Sequence, residues 1–370
     1  MRCLSCQSQF FYRFDDFQKL MRITSDVKSF ADKGDLYCCN QCALIQKKIT
    51  NKLIDEITNI YQSYTPYHYG DGEEQYVLLN DQTFVSRSDY LFSLVNKFID
   101  VAHINELLDI GCGNGVTLKL FNEKEINLYG YEYSTNNEEH LQEISDFKKL
   151  YSSNLGLIKK RFDVVLLIHT LEHFTEPLNE LKNIKKLMHE NSFLLIQVVD
   201  NDFNEFDILT ADHITHFSKS TLFNMLVNAG FSIEYIANDV TKEITLVAKI
   251  NTNGVEQKKL PINSNITINK TKKIIEKHIH NSITYSKLKK DISIFGTSIS
   301  SIWAYNYLKK TNKVCFFLDE DPAKIGKQID KINIIHPNDF NYKNSIVLIP
   351  LASSIRKIIM DKYKKFNFYE

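Results

Sequence analysis

The segment Leu107–Phe121, LLDIGCGNGVTLKLF, constrains the fold of this chain more than any other. Leu107, Leu108 and Ile110 form the apolar end of a buried strand. Gly111, Gly113 and Gly115 then let the backbone turn tightly and approach a ligand with no Cβ in the way, and a helix is predicted to follow. Asp109 stands just before the turn, where a carboxylate can hold a polar or cationic part of that ligand. A dinucleotide fingerprint, G-x-G-x-x-G, needs glycine at 116; the residue is Val116, so the match to NAD binding is imperfect. The next predicted strand, Ile126–Tyr131, ends at Glu132, about twenty residues after the turn, where a doubly wound fold sets an acid against ribose hydroxyls. Glycines also make ordinary strand-to-helix turns, but strand, turn, helix, strand and acid in this order read as a nucleoside-cofactor site.

Composition narrows the partners. The 370 residues include 45 Lys plus Arg and 45 Asp plus Glu, so no net field draws the chain to a nucleic-acid backbone or an anionic membrane. No stretch approaches the roughly 18 apolar residues that span a bilayer, and MRCLSCQSQFF lacks the plan of a signal peptide. A cytoplasmic protein is expected, with no nucleic-acid and no membrane partner. Five of the seven cysteines lie in the first 42 residues. An odd number of cysteines without a signal peptide argues against a secreted disulfide framework and for metal.

Cys3-x-x-Cys6 and Cys39-x-x-Cys42 are two knuckles, each able to point two thiolates at one ion, and together they predict a closed tetrahedral zinc site. Four protein ligands leave no open position, so this zinc would be structural. Cys38 is a bystander, because only Cys39 has the two-residue spacing to Cys42.

The rest of the chain divides in order. Residues 1–60 are the zinc-binding module and 61–250 the cofactor-binding core. Residues 251–290 are a polar linker and helix, and 291–370 a C-terminal α/β lobe. Tyr61–Gly72, YQSYTPYHYGDG, reads equally as a flap over the cofactor or a packed loop. Phe162–Ile168, FDVVLLI, is a continuous apolar run expected of a central parallel strand, and HTLEHF follows at its carboxyl end, where open α/β sheets bind ligands. Asn191–Val199 is a further strand. Phe217–Phe231 reads as a helix with Ser218 as N-cap and Gly230 as its stop. In the C-terminal lobe Ile292–Phe295, GTSISS, IWAYNYLKK and VCFFLDED repeat the opening topology, but only Gly296 remains where a cofactor turn wants two or three glycines. A Rossmann-like lobe that binds no dinucleotide is expected, with Asp319 and Asp321 as strand-end acids.

The motif D-x-G-x-G-x-G at Asp109–Gly115 resembles the first motif of class I S-adenosylmethionine (SAM) dependent methyltransferases. The order of cysteine knuckles, glycine motif and C-terminal lobe resembles the sugar C-methyltransferase family, which acts on nucleotide-linked keto-deoxysugars. The segments CLSC, LYCCNQCALIQ, LLDIGCGNG, LIHTLEHFTEP, FDILTADHITHFS, IFGTSISSIWA and FFLDEDPAKIG carry that resemblance over nearly the whole chain. It implies an α/β architecture: a zinc-binding module, a class I methyltransferase Rossmann-like core and a C-terminal Rossmann-like lobe. SAM would then be bound by Asp109, Gly111, Gly113, Gly115 and Glu132, and the partner would be a small molecule, a nucleotide sugar. In that family a segment F-D-x-x-Y-x-E-H-x-x-Y-F-S supplies the catalytic histidine and a neighbouring acid. Here Phe206–Ser218 keeps His213 and, as a shortened acid, Asp212, while Thr210 replaces the sugar-binding tyrosine and His216 the later aromatic.

SAM brings an electrophilic methyl group, so the enzyme must align a nucleophile and free its electron pair. For a carbon beside a ketone, a base removes a proton and nearby donors hold the oxyanion. His213 suits the base, because an unperturbed imidazole pKa of about 6.5 leaves it largely neutral near pH 7. Asp212 can pair with its ring or with a substrate hydroxyl. His173, in the helix after the LEH turn, can donate to the oxyanion, or can cap or pack that helix. His169 and His216 read as packing or hydrogen-bonding residues. Two alternatives have different outcomes: O-methylation of a sugar or other small-molecule hydroxyl, and a SAM- and zinc-binding module without catalysis. Nucleic-acid methylation would want an Asn/Asp-Pro-Pro-aromatic segment where this chain has IHTLEHF.

Overall fold

The computed structural model describes residues 1–65, 74–81, 83–99, 101–133, 138–152, 154–311, 313–341 and 345–369. Its centre is a seven-stranded sheet: β1 Glu106–Ile110, β2 Asn127–Tyr131, β3 Phe147–Tyr151, β4 Phe162–Ile168, β5 Met188–Val199, β6 Phe231–Ile236 and β7 Glu243–Ile250, in the order β3-β2-β1-β4-β5-β7-β6. The first five pair in parallel, and β7 inserts antiparallel between β5 and β6. This is a mixed α/β, Rossmann-like sheet, and it explains why β4 reads as one apolar run. Val165, Leu166 and Leu167 are fully buried, so both faces must be apolar. β1 and β4 lie side by side at the centre, and chain reversal there brings the turns after β1, β2 and β4 to one edge.

Local signals account for the element ends. Phe162–Ile168 begins and ends as its apolar run does. The helix Lys219–Ala229 has the expected N-cap, Ser218, which accepts from Thr221 N–H in a capping box, and it stops at Gly230 with φ +93°. The helix after the glycine turn is shorter than its sequence suggests, only Val116–Lys119. His173 lies in a 3-10 turn, Leu171–His173, and the following helix starts at Pro177. This corrects its expected place in a helix: the backbone tightens first, and proline at the first helical position sets the start.

The N-terminal module is not a separate body. Its strands Phe11–Arg13, Tyr37–Cys39 and Ile45–Gln46 form a sheet whose fourth strand is Thr215–His216, from the core. The C-terminal lobe has a six-stranded sheet that contains Ile292–Phe295, Val314–Leu318 and Ile346–Leu348, and the helix Ser264–Lys287 leads into it. Trp303 of that lobe is fully buried, packs against Phe206, His278 and Tyr307, and donates its Nε1–H to the Met21 carbonyl at 3.2 Å. Module, lobe and the segment around Phe206 thus share one core. Among the described residues, no helix is long and apolar enough to cross a membrane.

Candidate active site

The first half of the candidate site lies at the tips of β1 and β2. Gly111 and Gly115 have φ of +80° and +79°, in the left-handed region that side chains disfavour. A Cβ on Gly111 would come within 2.1 Å of Thr170 Oγ1, so the turn and the β4 tip are in contact. Gly113, at φ +53°, differs: a Cβ there would meet nothing within 4 Å. Its N–H points back to Glu132 Oε2 at 3.2 Å, while Oε1 takes the N–H of Tyr133 at 3.0 Å. Asp109 is buried, and burial first, then the charge of Glu132, push its carboxyl up to about 7. Burial also raises Glu132. Two confined acids beside an open glycine cradle fit a ligand with an ammonium and a ribose diol, as SAM has.

The second half is built by the tip of β4 and the segment from Asp207 to His216. His169 has φ +48°, a left-handed backbone at the strand end. Its Nδ1 faces Glu172 and its Nε2 faces Glu243, both at 3.3 Å, and Glu243 also holds Arg87 at 2.7 Å. The charges of Arg87 and His169 outweigh burial and bring Glu243 down to about 2. His169 is therefore tied into a buried ion chain.

His173 and His213 come together, their rings edge to face with centroids 4.8 Å apart. His173 Nδ1 lies 3.1 Å from the Asp212 carbonyl oxygen and 3.4 Å from its Oδ2. Burial and the neighbouring His213 hold His173 below the ordinary imidazole pKa. His213 does not pair with Asp212, its neighbour in sequence. Its Nδ1 is 2.7 Å from Asp207 Oδ1, and His216 Nδ1 is 2.8 Å from Asp207 Oδ2. Asp212 lies in a turn and instead accepts from Ser25, N–H at 2.8 Å and Oγ–H at 2.5 Å. Burial works against an imidazolium at His213, but the charge of Asp207 and its hydrogen bond prevail and lift its pKa. Thr210 is fully buried, and its carbonyl accepts from Lys47 Nζ.

Sequence reasoning singled out neither Asp207 nor Tyr61. Asp207 is the second residue of the FDILTADHITHFS segment; its signal is a 3-10 turn, Asp207–Leu209, from which the chain doubles back to His213. Tyr61 packs edge-on against His173 with centroids 6.1 Å apart and stacks on Tyr64 at 5.2 Å. Of the expected flap Tyr61–Gly72, residues 66–72 lie outside the described residues.

The four knuckle cysteines converge, with ligand atoms all within 4.8 Å of one another. Cys3 and Cys42 Sγ are 3.4 Å apart and Cys6 and Cys39 Sγ 3.6 Å, too far for disulfides and close to the edge of a tetrahedron with Zn–S bonds of about 2.3 Å. The residues fit a metal. Cys38 Sγ turns away to the carbonyls of Cys39 and Ala43, both at 3.7 Å, and burial pushes its thiol up to about 12.

A family model described as a methyltransferase domain matches residues 86–236, the stretch that carries Asp109, Glu132, His173 and His213. The chain carries a methyltransferase domain. An uncharacterized protein of Borreliella burgdorferi is 30% identical over 167 residues, 44% of this chain and 28% of that protein. The chain thus spans under a third of the length of that curated relative. Among solved structures, the mitomycin 7-O-methyltransferase MmcR superposes with a TM-score of 0.38 at 17% identity, over 42% of this chain and 52% of that one. A SAM-dependent methyltransferase of Clostridium acetobutylicum gives 0.37 at 11% identity, over 54% and 98%. The pyocyanin biosynthetic protein PhzM gives 0.38 at 16% identity, over 44% and 55%. Scores at this level say nothing about substrate. Within the methyltransferase domain the two halves of the site meet at the carboxyl edge of β1, β2 and β4.

Proposed function

We propose that this protein transfers the methyl group of SAM to a carbon beside the ketone of a nucleotide-linked keto-deoxysugar, with His213 as the general base. The observation that carries the reading is the commitment of His213 Nδ1 to Asp207 at 2.7 Å, which leaves Nε2 as the basic nitrogen. Asp109, Glu132 and the turn Gly111, Gly113 and Gly115 would hold SAM, whose sulfonium supplies an electrophilic methyl. His213 takes the proton from the carbon beside the ketone, and the electron pair of that C–H bond passes into an enolate whose carbon would form the new C–C bond as the sulfur–methyl bond breaks, its electron pair staying on sulfur in the departing S-adenosylhomocysteine. His173 lies beside His213 with its Nδ1–H held by the Asp212 carbonyl at 3.1 Å, so it donates to the enolate oxygen through Nε2–H, as an imidazolium. Asp212, bound to Ser25 and facing His173, orients that donor. A positioned base of this kind is worth about 10² to 10⁴ in rate.

Cys3, Cys6, Cys39 and Cys42 would hold zinc with no open position, so the metal shapes the fold and takes no part in the chemistry. Reduced thiols of this kind suit the cytoplasm. O-methylation of a small-molecule hydroxyl is the second reading, favoured by Thr210, which stands where the sugar C-methyltransferase motif has a substrate-binding tyrosine. Incubation with SAM and nucleotide keto-sugars in deuterated water separates the two. Carbon methylation exchanges the hydrogen beside the ketone, and His213→Ala stops both exchange and transfer. Transfer without exchange would favour oxygen, and SAM binding without turnover on any sugar or hydroxyl acceptor would favour a non-catalytic module.

A further inference from the structure

We infer that His216 is a positioning residue for the base: it fixes the Asp207 carboxylate, and Asp207 in turn fixes the tautomer and orientation of His213. The inference rests on the reading of His213 as the base and adds to it the residue that holds the base in place.

The geometry is that of one carboxylate shared by two imidazoles. Each oxygen of Asp207 faces a different ring, Oδ1 to His213 Nδ1 at 2.7 Å and Oδ2 to His216 Nδ1 at 2.8 Å. With both oxygens engaged, the carboxylate cannot turn about its own axis without breaking both contacts. A carboxylate accepts, so each Nδ1 carries the hydrogen, and the lone pair of His213 is confined to Nε2. Without the second contact Asp207 would be free to swing, and His213 free to flip.

His216 itself has no other apparent use. It is 1% exposed, its backbone is pinned by pairing with Ile45, and its Nε2 is buried with no hydrogen-bond partner among the described residues. A phenylalanine would fill this place without burying an unpaired nitrogen, so the contact that distinguishes histidine here is Nδ1 to Asp207. The charged and titratable groups around the pair are consistent with this. Glu172, Asp212 and His173 face His213, and Lys47 and His213 face His216. Burial holds His216 below the usual imidazole pKa, so it stays neutral and donates through one N–H.

The test is imidazole ¹⁵N NMR on the full chain loaded with S-adenosylhomocysteine, in wild type, Asp207→Asn, His216→Phe and His216→Asn. In the wild type His213 should be the Nδ1–H tautomer when neutral. His216→Phe should mix its tautomers, and Asp207→Asn should mix them and lower the pKa of His213. His216→Asn, whose amide nitrogen falls near the place of Nδ1, should restore the wild-type spectrum. In turnover, His216→Phe should lower kcat by about 10-fold or more with KM for SAM unchanged, and His216→Asn should recover most of it. A His216→Phe protein that is folded by near-ultraviolet circular dichroism yet keeps the wild-type tautomer and kcat would overturn the inference. So would a second bound metal per chain, beyond the cysteine site, that His216→Phe removes, because the spacing of Asp207, His213 and His216 also admits an ion. If His213→Ala retains turnover, the general-base reading fails, while the tautomer spectra still decide whether His216 positions the ring.

Discussion

The buried amine of Lys47, its pKa lowered to about 7 by burial, donates to the carbonyl of Ala211 at 2.7 Å, joining residues 164 apart in sequence. It also reaches the Thr210 carbonyl, and its own N–H binds Ile214 O at 2.8 Å. Lys47 follows directly on the strand Ile45–Gln46, just after the second cysteine knuckle. The N-terminal module is therefore one wall of the site, and the segment that carries Asp212 and His213 leans on it.

From this follows the effect of metal loss. Cys39→Ser should abolish stoichiometric zinc and raise amide exchange in residues 210–216 as well as in the module, with SAM binding largely kept because the glycine turn lies on the opposite half of the site. Metal analysis and hydrogen-exchange mass spectrometry read both effects. Zinc loss that leaves 210–216 protected would show that the wall stands without the metal.

Lys47→Met keeps the volume of the side chain but deprives two buried carbonyls of their donor. The expected cost is about 2 kcal/mol of stability by urea denaturation, as for buried acceptors left without a donor. Lowered kcat should accompany it, since the unpaired carbonyls belong to the segment that carries the proposed base His213.

The glycines of the turn should separate by what a methyl group would meet. Gly111→Ala drives a Cβ against Thr170 and strains a backbone at φ +80°, so it should unfold the β1 tip. Gly113→Ala meets open space and should cost only about 1–2 kcal/mol of left-handed strain, but its methyl occupies the cofactor cradle. Thermal melting should show Gly113→Ala folded, and calorimetry should show SAM affinity at least about 10-fold weaker, the size of one good polar contact. Wild-type affinity in Gly113→Ala would refute the cradle.

Asp109 sets a pH dependence. Its carboxyl is held up to about 7, against about 3.9 in an unfolded chain, so between those values the native protein binds more protons than the unfolded one. Stability of the ligand-free protein should therefore fall as pH rises from about 4 to 7 through this group. A ligand ammonium favours the ionised form, so SAM binding should release a proton near pH 6 and tighten as pH rises. Calorimetry in buffers of different ionisation heat measures the release. Asp109→Asn should remove it.

Much of the methyltransferase domain was legible in the chain. Val164–Ile168 is apolar throughout because both faces of β4 are covered, and Ser218 and Gly230 mark helix ends through bonds made within a few residues. Asp109, the glycines and Glu132 were legible for the same reason: a strand, a tight turn and a second strand bring them together over about two dozen residues. The four cysteines were legible because two short knuckles need only to meet.

The partners of the catalytic segment were not. Asp212 sits beside His213 in sequence, yet Ser25 holds its carboxylate, and Asp207 takes the ring instead. That choice depends on Ser25 and Lys47 from the N-terminal module and on Trp303 packing behind Phe206 from the C-terminal lobe. The sequence by itself determined the elements, their caps and the glycine turn, since those rest on short-range periodicity and backbone conformation. Only the tertiary structure decided which acid serves His213, because burial against segments nearly two hundred residues before it and ninety after it sets where each carboxylate can point.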